Sequence, residues 1–118
     1  WYKFEAKFLS LWLTHEQTHS SAFMGKDLTG NSHQVFRKMF MQQLLSDTLG
    51  FAACKIIRRI LGVAKVADFM QFEDNTLRAK LETQALKMAT TMLLNRHAYT
   101  NIADVNKLAS DINSGSSN

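Results

Sequence analysis

The chain contains no proline, a single cysteine and five glycines among its 118 residues. With no proline present, nothing of that kind breaks the interior of a helix such as the one written by residues 47–62. A lone cysteine, Cys54, cannot close an internal disulfide; it stands near the edge of an apolar helical face and reads as a packed thiol rather than a nucleophile. No apolar run is long enough to span a bilayer, and no charged, apolar and small-residue succession of a secretory signal opens the chain. A cytoplasmic address without a membrane partner is therefore expected. Strand signals are missing as well, since no hairpin dipeptide separates alternating β-branched runs, and no period of repeat length occurs.

What is present has a globular balance, with 46% hydrophobic and 20% charged residues, enough for one domain with a core of its own and no metal or disulfide framework. The net charge of +4 would suit a nucleic-acid binder. Its distribution argues otherwise: lysines and arginines run from Lys3 to Lys107 among acids, and only residues 55–59 form a tight cluster. Three charges make a local anion site rather than a groove-length stripe, so no nucleic-acid partner is expected.

The apolar spacing Trp1, Phe4, Phe8, Leu11 and Trp12 is that of a helix already under way, and reads as a chain that begins inside a larger structure. So much aromatic surface must dock on something. His15-Glu16-Gln17-Thr18-His19 then satisfies the two-histidine zinc-protease pattern, with Glu16 as general base of a zinc hydrolase. A third ligand is lacking, Ala22 stands where the extended form of that motif wants glycine, and the apolar period stops at Leu13; solvated loop residues after a helix end fit better. Residues 17–31 read as a surface loop. Asn31 and Gln34 resemble a capping box opening a helix whose Val35, Phe36, Met39, Phe40 and Leu44 suit a core.

Residues 47–62 are both strongly apolar and sharply charged. At about 100° per residue, Leu49, Ala53, Ile56, Ile57, Ile60 and Leu61 fall on one face, and Lys55, Arg58 and Arg59 gather on the opposite one. Gly50 permits a close approach or a bend, and Gly62 suits a left-handed terminator. Asp47 reads as the helix cap, with a place in a substrate's polar network as the alternative. The residues alone describe a solvated basic face.

Residues 63–68 follow as a linker, with Phe69 and Phe72 tucking back onto the core. Glu73-Asp74-Asn75 supplies an acidic helix start. From Thr76 to Arg96 the stripe Leu77, Leu81, Ala85, Met88, Ala89 and Met92 opposes Lys80, Thr83, Lys87 and Thr90, with Arg78 and Glu82 able to pair. Asn101, with Asp104 three residues on, opens a last short helix through Val105, Leu108 and Ile112. The expected architecture is all-α with about five helices, a single helical domain over 1–113 and a disordered tail over 114–118.

Asp47-Thr-Leu-Gly-Phe-Ala, followed by Arg58-Arg59-Ile60 and Gly62-Val-Ala-Lys-Val-Ala-Asp68, resembles the C-terminal region of the methylthioribose kinases. Arg78-Ala79, Glu82 and Ala85-Leu86 extend the likeness, which covers about residues 35–105. The resemblance implies the C-terminal helical part of the large lobe of a protein-kinase-like fold, and transfer of the ATP γ-phosphate to the 1-hydroxyl of methylthioribose in methionine salvage. It places Arg58 and Arg59 beside the sugar and the migrating phosphoryl group, with Asp47 and Lys55 in support. The family's Gly-rich loop, His-Gly-Asp motif and metal-binding acidic pair are absent from these residues. ATP and Mg2+ would then bind outside this chain, on an N-terminal kinase portion; a homodimer is left open. The reading from a different class is a non-enzymatic helical interaction module with a basic face.

Overall fold

The computed structural model describes residues 1–18, 30–62 and 73–115. These form four helices and no strand: α1 (Tyr2–Thr18), α2 (Gly30–Leu61), α3 (Asn75–Asn95) and α4 (Ile102–Ser114). Most of the expected loop 17–31, the linker 63–68, Phe69, Phe72 and the last three residues of the expected tail lie outside the described residues. The all-α class stands, and the count differs because the two helices expected on either side of residues 45 and 46 are one. Asp47 is thus an interior residue of α2 and caps nothing, and Asn31 likewise lies inside the helix instead of at its cap. The reason is energetic. Ser46-Asp47-Thr48 contains neither glycine nor proline, and polar residues of this kind cost a helix interior only about 0.7 kcal/mol each or less.

The chain divides into two compact units, Trp1–Leu44 and Leu45–Asn118. In the first, α1 runs past Leu13 to Thr18, because a polar stretch continues a helix when it finds a tertiary partner. Glu16 Oε2 accepts from Arg37 Nη1 at 2.7 Å, and Thr14 Oγ1 donates to the Ser10 carbonyl at 3.0 Å. Above that ion pair the aromatic rings interlock. Phe8 stacks on Phe40 at 5.9 Å with the planes 7° apart, and Trp12 meets Phe40 edge-on at 5.0 Å and Phe36 at 6.1 Å. Contacts of this type add about 0.5–1.5 kcal/mol each beyond the area they bury. Two helices packed together form only a single layer, which buries no more than one side of each. Phe36, Met39 and Phe40, expected in a core, are exposed at 43%, 66% and 39%, whereas Met41 is buried.

The second unit holds the larger core: Leu45, Leu49 and Ala53 of α2, Ala89 and Met92 of α3, and Val105 of α4 are buried. Helix α3 starts on Asp74, whose carboxylate accepts from the Thr76 and Leu77 amides at 2.8 and 3.3 Å. Arg78 and Glu82 come within 3.9 Å, an exposed pair of small worth. Helix α4 packs against α3 and opens on a reciprocal capping box. The Asn101 side chain accepts from the Ala103 and Asp104 amides, and Asp104 Oδ2 accepts from the amides of Thr100 at 2.8 Å and Asn101 at 3.1 Å. Ser114, assigned from sequence to the tail, is the last helical residue, its hydroxyl donating to the Ser110 carbonyl.

The Thr100 amide, followed by that of Asn101, holds the Asp104 carboxyl below its ordinary value. A carboxyl lowered on folding contributes stability that is present above the unfolded value and is lost as pH falls through the folded one. Acid titration monitored by circular dichroism should therefore show Asp104→Asn with a flatter loss of stability than the native chain below the ordinary aspartate range. Asn101→Ala should cost about 1 kcal/mol in denaturant melts at neutral pH.

Candidate functional site

The arginine cluster stands on the second half of α2, and burial along that half is graded. Leu45 and Ser46 are each 2% exposed and Ala53 is fully buried; Ile56, Ile57 and Ile60 are half-buried; Leu61, expected on the packed face, is 70% exposed. The core grips the rod up to Ala53 and releases it over the last two turns. Lys55, Arg58 and Arg59 are exposed on the released portion. Cys54 is exposed too, so the packed-thiol expectation is corrected: one position past the fully buried Ala53, the helix has turned its side chain off the core.

The basic end suits the helix on which it stands. Arg58 and Arg59 occupy the last turn, where the partial negative charge of the macrodipole favours cations by about 0.3–1 kcal/mol. Gly62 amide donates to the Arg58 carbonyl at 2.9 Å. A side chain at Gly62 would collide with that same carbonyl oxygen, and the backbone there is not left-handed. The glycine at this end is thus required by close approach, not by the left-handed terminator expected from sequence. Lys55 Nζ lies 5.3 Å from the ring centroid of Phe51, an exposed aromatic whose face draws the ammonium back along the helix.

The expected site residues are therefore brought together only in part. Arg58 and Arg59 share the exposed last turn, and Lys55 is one turn away over Phe51. Asp47, exposed, is on the same side of the helix as Arg58 but eleven residues earlier, about 16 Å along the axis at 1.5 Å per residue. His15 and Glu16 belong to α1 rather than to a solvated loop, with Glu16 ion-paired to Arg37; His19 lies outside the described residues. No group of three or more His, Cys, Asp or Glu side chains that could hold a metal occurs among the described residues. Nor is any helix among them long and apolar enough to cross a membrane. A shallow groove between α3 and α4, bordered by Lys80, Gln84, Lys87 and Ile112, includes no residue of α2.

Two contacts earlier along α2 escaped the sequence reading. Ser46, buried within α2, has its hydroxyl 2.9 Å from His97 Nδ1, just past the end of α3. One turn along α2, Gly50 is buried, and a Cβ placed there would sit 3.1 Å from Arg96 Cδ. The partners are 51 residues apart for the first contact, and nothing in the local pattern marks them. The only available signal was the bare backbone of a glycine in an otherwise good helix, which sequence analysis read as permitting a close approach without naming what approaches.

Because Cys54 is solvent-facing, it should react with an aromatic disulfide reagent in the folded chain at a rate close to that in denaturant. A folded-state rate suppressed by several orders of magnitude would restore the packed thiol.

No protein-family model matches the chain. Among curated proteins it is 36% identical over 108 residues to methylthioribose kinase 1 of Oryza sativa subsp. japonica, covering 89% of this chain and 25% of that protein. It is 35% identical over 106 residues to methylthioribose kinase 2 of the same plant, with the same shares covered. To the methylthioribose kinase of the bacterium Exiguobacterium sibiricum it is 31% identical over 102 residues, covering 81% of this chain and 25% of the relative. The chain spans about a quarter of the length of the curated relatives it matches. Over most of its own length it is related in sequence to the methylthioribose kinases.

Proposed function

We propose that these residues form the C-terminal helical part of an ATP-dependent sugar kinase resembling methylthioribose kinase, and that Arg58 and Arg59 receive the sugar and the migrating phosphoryl group. The observation that carries the reading is the 36% identity over 108 residues to a methylthioribose kinase, in a chain whose paired arginines are exposed at the end of a long helix. ATP and Mg2+ belong to the reading through the relatives' kinase activity. The described residues hold no acidic or histidine cluster fit for the metal.

The role open to the arginines follows from their chemistry. A guanidinium presents two parallel N–H donors that match two oxygens of a phosphoryl group, and such charge-assisted bonds are about twice as strong as neutral ones. As charge spreads over the oxygens in flight, cations already fixed nearby stabilise it without reorganising. Neighbouring positions on a helix point about 100° apart, so one arginine faces the sugar or phosphoryl group while the other adds its charge from the adjacent direction. Lys55, drawn toward Phe51, supplies field more than contact.

A second reading, a helical docking module, draws on the exposed Val35, Phe36 and Met39 of the first unit. Kinetics separate the two. In the longest native chain carrying these residues, Arg58→Ala or Arg59→Ala should lower kcat/KM for the thiosugar about tenfold or more, with KM for ATP nearly unchanged. Lysine at either position should recover only part of the loss, since it lacks the planar fork. Native kinetics in both alanine variants would remove the arginines from the site. Phosphoryl transfer by residues 1–118 alone would end the proposed division of labour.

A further inference from the structure

The gradient of burial along α2 raises a mechanical question: what fixes the direction in which an exposed helix end points its arginines? Packing fades beyond Ala53, five residues and about 7.5 Å before Arg58. The azimuth of the last turns must therefore be set where the helix is still held. Apolar contacts at Leu45, Leu49 and Ala53 set which face of the helix turns inward, but such contacts are non-directional and leave its finer rotation soft.

Two directional contacts oppose that roll, and both come from consecutive residues just past α3. Ser46 Oγ and His97 Nδ1 are 2.9 Å apart, with the serine 2% exposed. One turn further along α2, the Arg96 side chain crosses the helix where Gly50 has no Cβ, which would meet Arg96 Cδ at 3.1 Å. The turn carrying both residues is itself tied, since the Ala98 amide donates to the Asn95 carbonyl at 2.8 Å. A notch and a hydrogen bond one turn apart define one edge of the rod, and an α-helix carries that edge forward: Gly50, Cys54 and Leu61 lie within about 40° of each other, and Arg58 within about 80° of Gly50.

We propose that Arg96 and His97 are positioning residues, which lock the rotation of α2 through Gly50 and Ser46 and so aim Arg58 and Arg59. The inference rests on the kinase reading for its catalytic consequence, but not for the lock itself, which is a property of this unit. Neither residue needs to touch substrate. Removing the lock keeps the same face of α2 on the core but widens the small rotations of the helix about its axis, so turnover suffers more than folding does.

The test joins geometry to kinetics. Nitroxide labels at Arg59→Cys on α2 and Lys87→Cys on α3, in a Cys54→Ser background of the longest native chain, report the azimuth as a distance distribution by pulsed electron paramagnetic resonance. His97→Ala and Ser46→Ala should each broaden or shift that distribution, as should Gly50→Leu, whose bulk displaces Arg96 where an alanine methyl would ask only a few tenths of an ångström. His97→Asn, whose side-chain amide reaches the place of Nδ1, should restore it. In unlabelled protein, His97→Ala should lower kcat about 10- to 100-fold, the scale of a small misplacement of reacting groups, with KM for ATP within about twofold of native and His97→Asn recovering most of the loss. An unaltered distance distribution in folded His97→Ala and Gly50→Leu would overturn the lock, and native kcat in His97→Ala would overturn its catalytic consequence. A distribution that moves while Arg58→Ala and Arg59→Ala keep native kinetics would leave the lock standing and sink the twin-arginine site instead.

Discussion

A missing side chain governs the second unit. Gly50 is buried in the middle of α2, where glycine weakens a helix by about 1 kcal/mol relative to alanine. The offsetting gain is proximity, because the space a methyl group would fill receives the aliphatic stem of Arg96. With the stem in the notch, the turn after α3 lies close enough for His97 to reach the buried Ser46 hydroxyl. Packing, polar satisfaction and helix rotation thus meet at one position.

Charge on α2 follows a similar economy. The last turn carries two guanidiniums where the helix dipole welcomes them, and a third cation is folded back over Phe51. An anion approaching this end meets a carbonyl-rich terminus whose partial negative charge opposes it. Recognition of an anion there would have to come from the side chains alone, unlike the amide-lined sites at the opposite end of a helix. That requirement suits arginine, whose planar fork supplies geometry as well as charge.

Much of this was written in the amino-acid order, and the failures have physical causes. The starts of α3 and α4 were legible because Asp74, Asn101 and Asp104 act on backbone amides within four residues of themselves. The apolar stripe of α3 was legible for the same reason of short range, although Leu77 at its start is 44% exposed. Asp47 misled because a residue that caps well is also tolerated inside a helix, and only tertiary context tells the two apart. Cys54 and Leu61 misled because periodicity gives direction but not where the neighbouring core stops. The arginine cluster itself was visible as a pattern, while Ser46, Arg96 and His97, which hold the rod that bears it, were hidden by their separation along the chain.

The thinning of contacts toward Leu61 has a thermodynamic corollary. Residues whose helical bonds are backed by little packing open at low free energy, and the final turns of α2 are such a place. Any anion captured by Arg58 and Arg59 must first quiet that fraying, so part of its intrinsic attraction is spent on order and its observed affinity is correspondingly lower. The same coupling runs in reverse: an occupied pair of guanidiniums makes the terminus of the helix more persistent, and amide exchange there becomes a meter of occupancy.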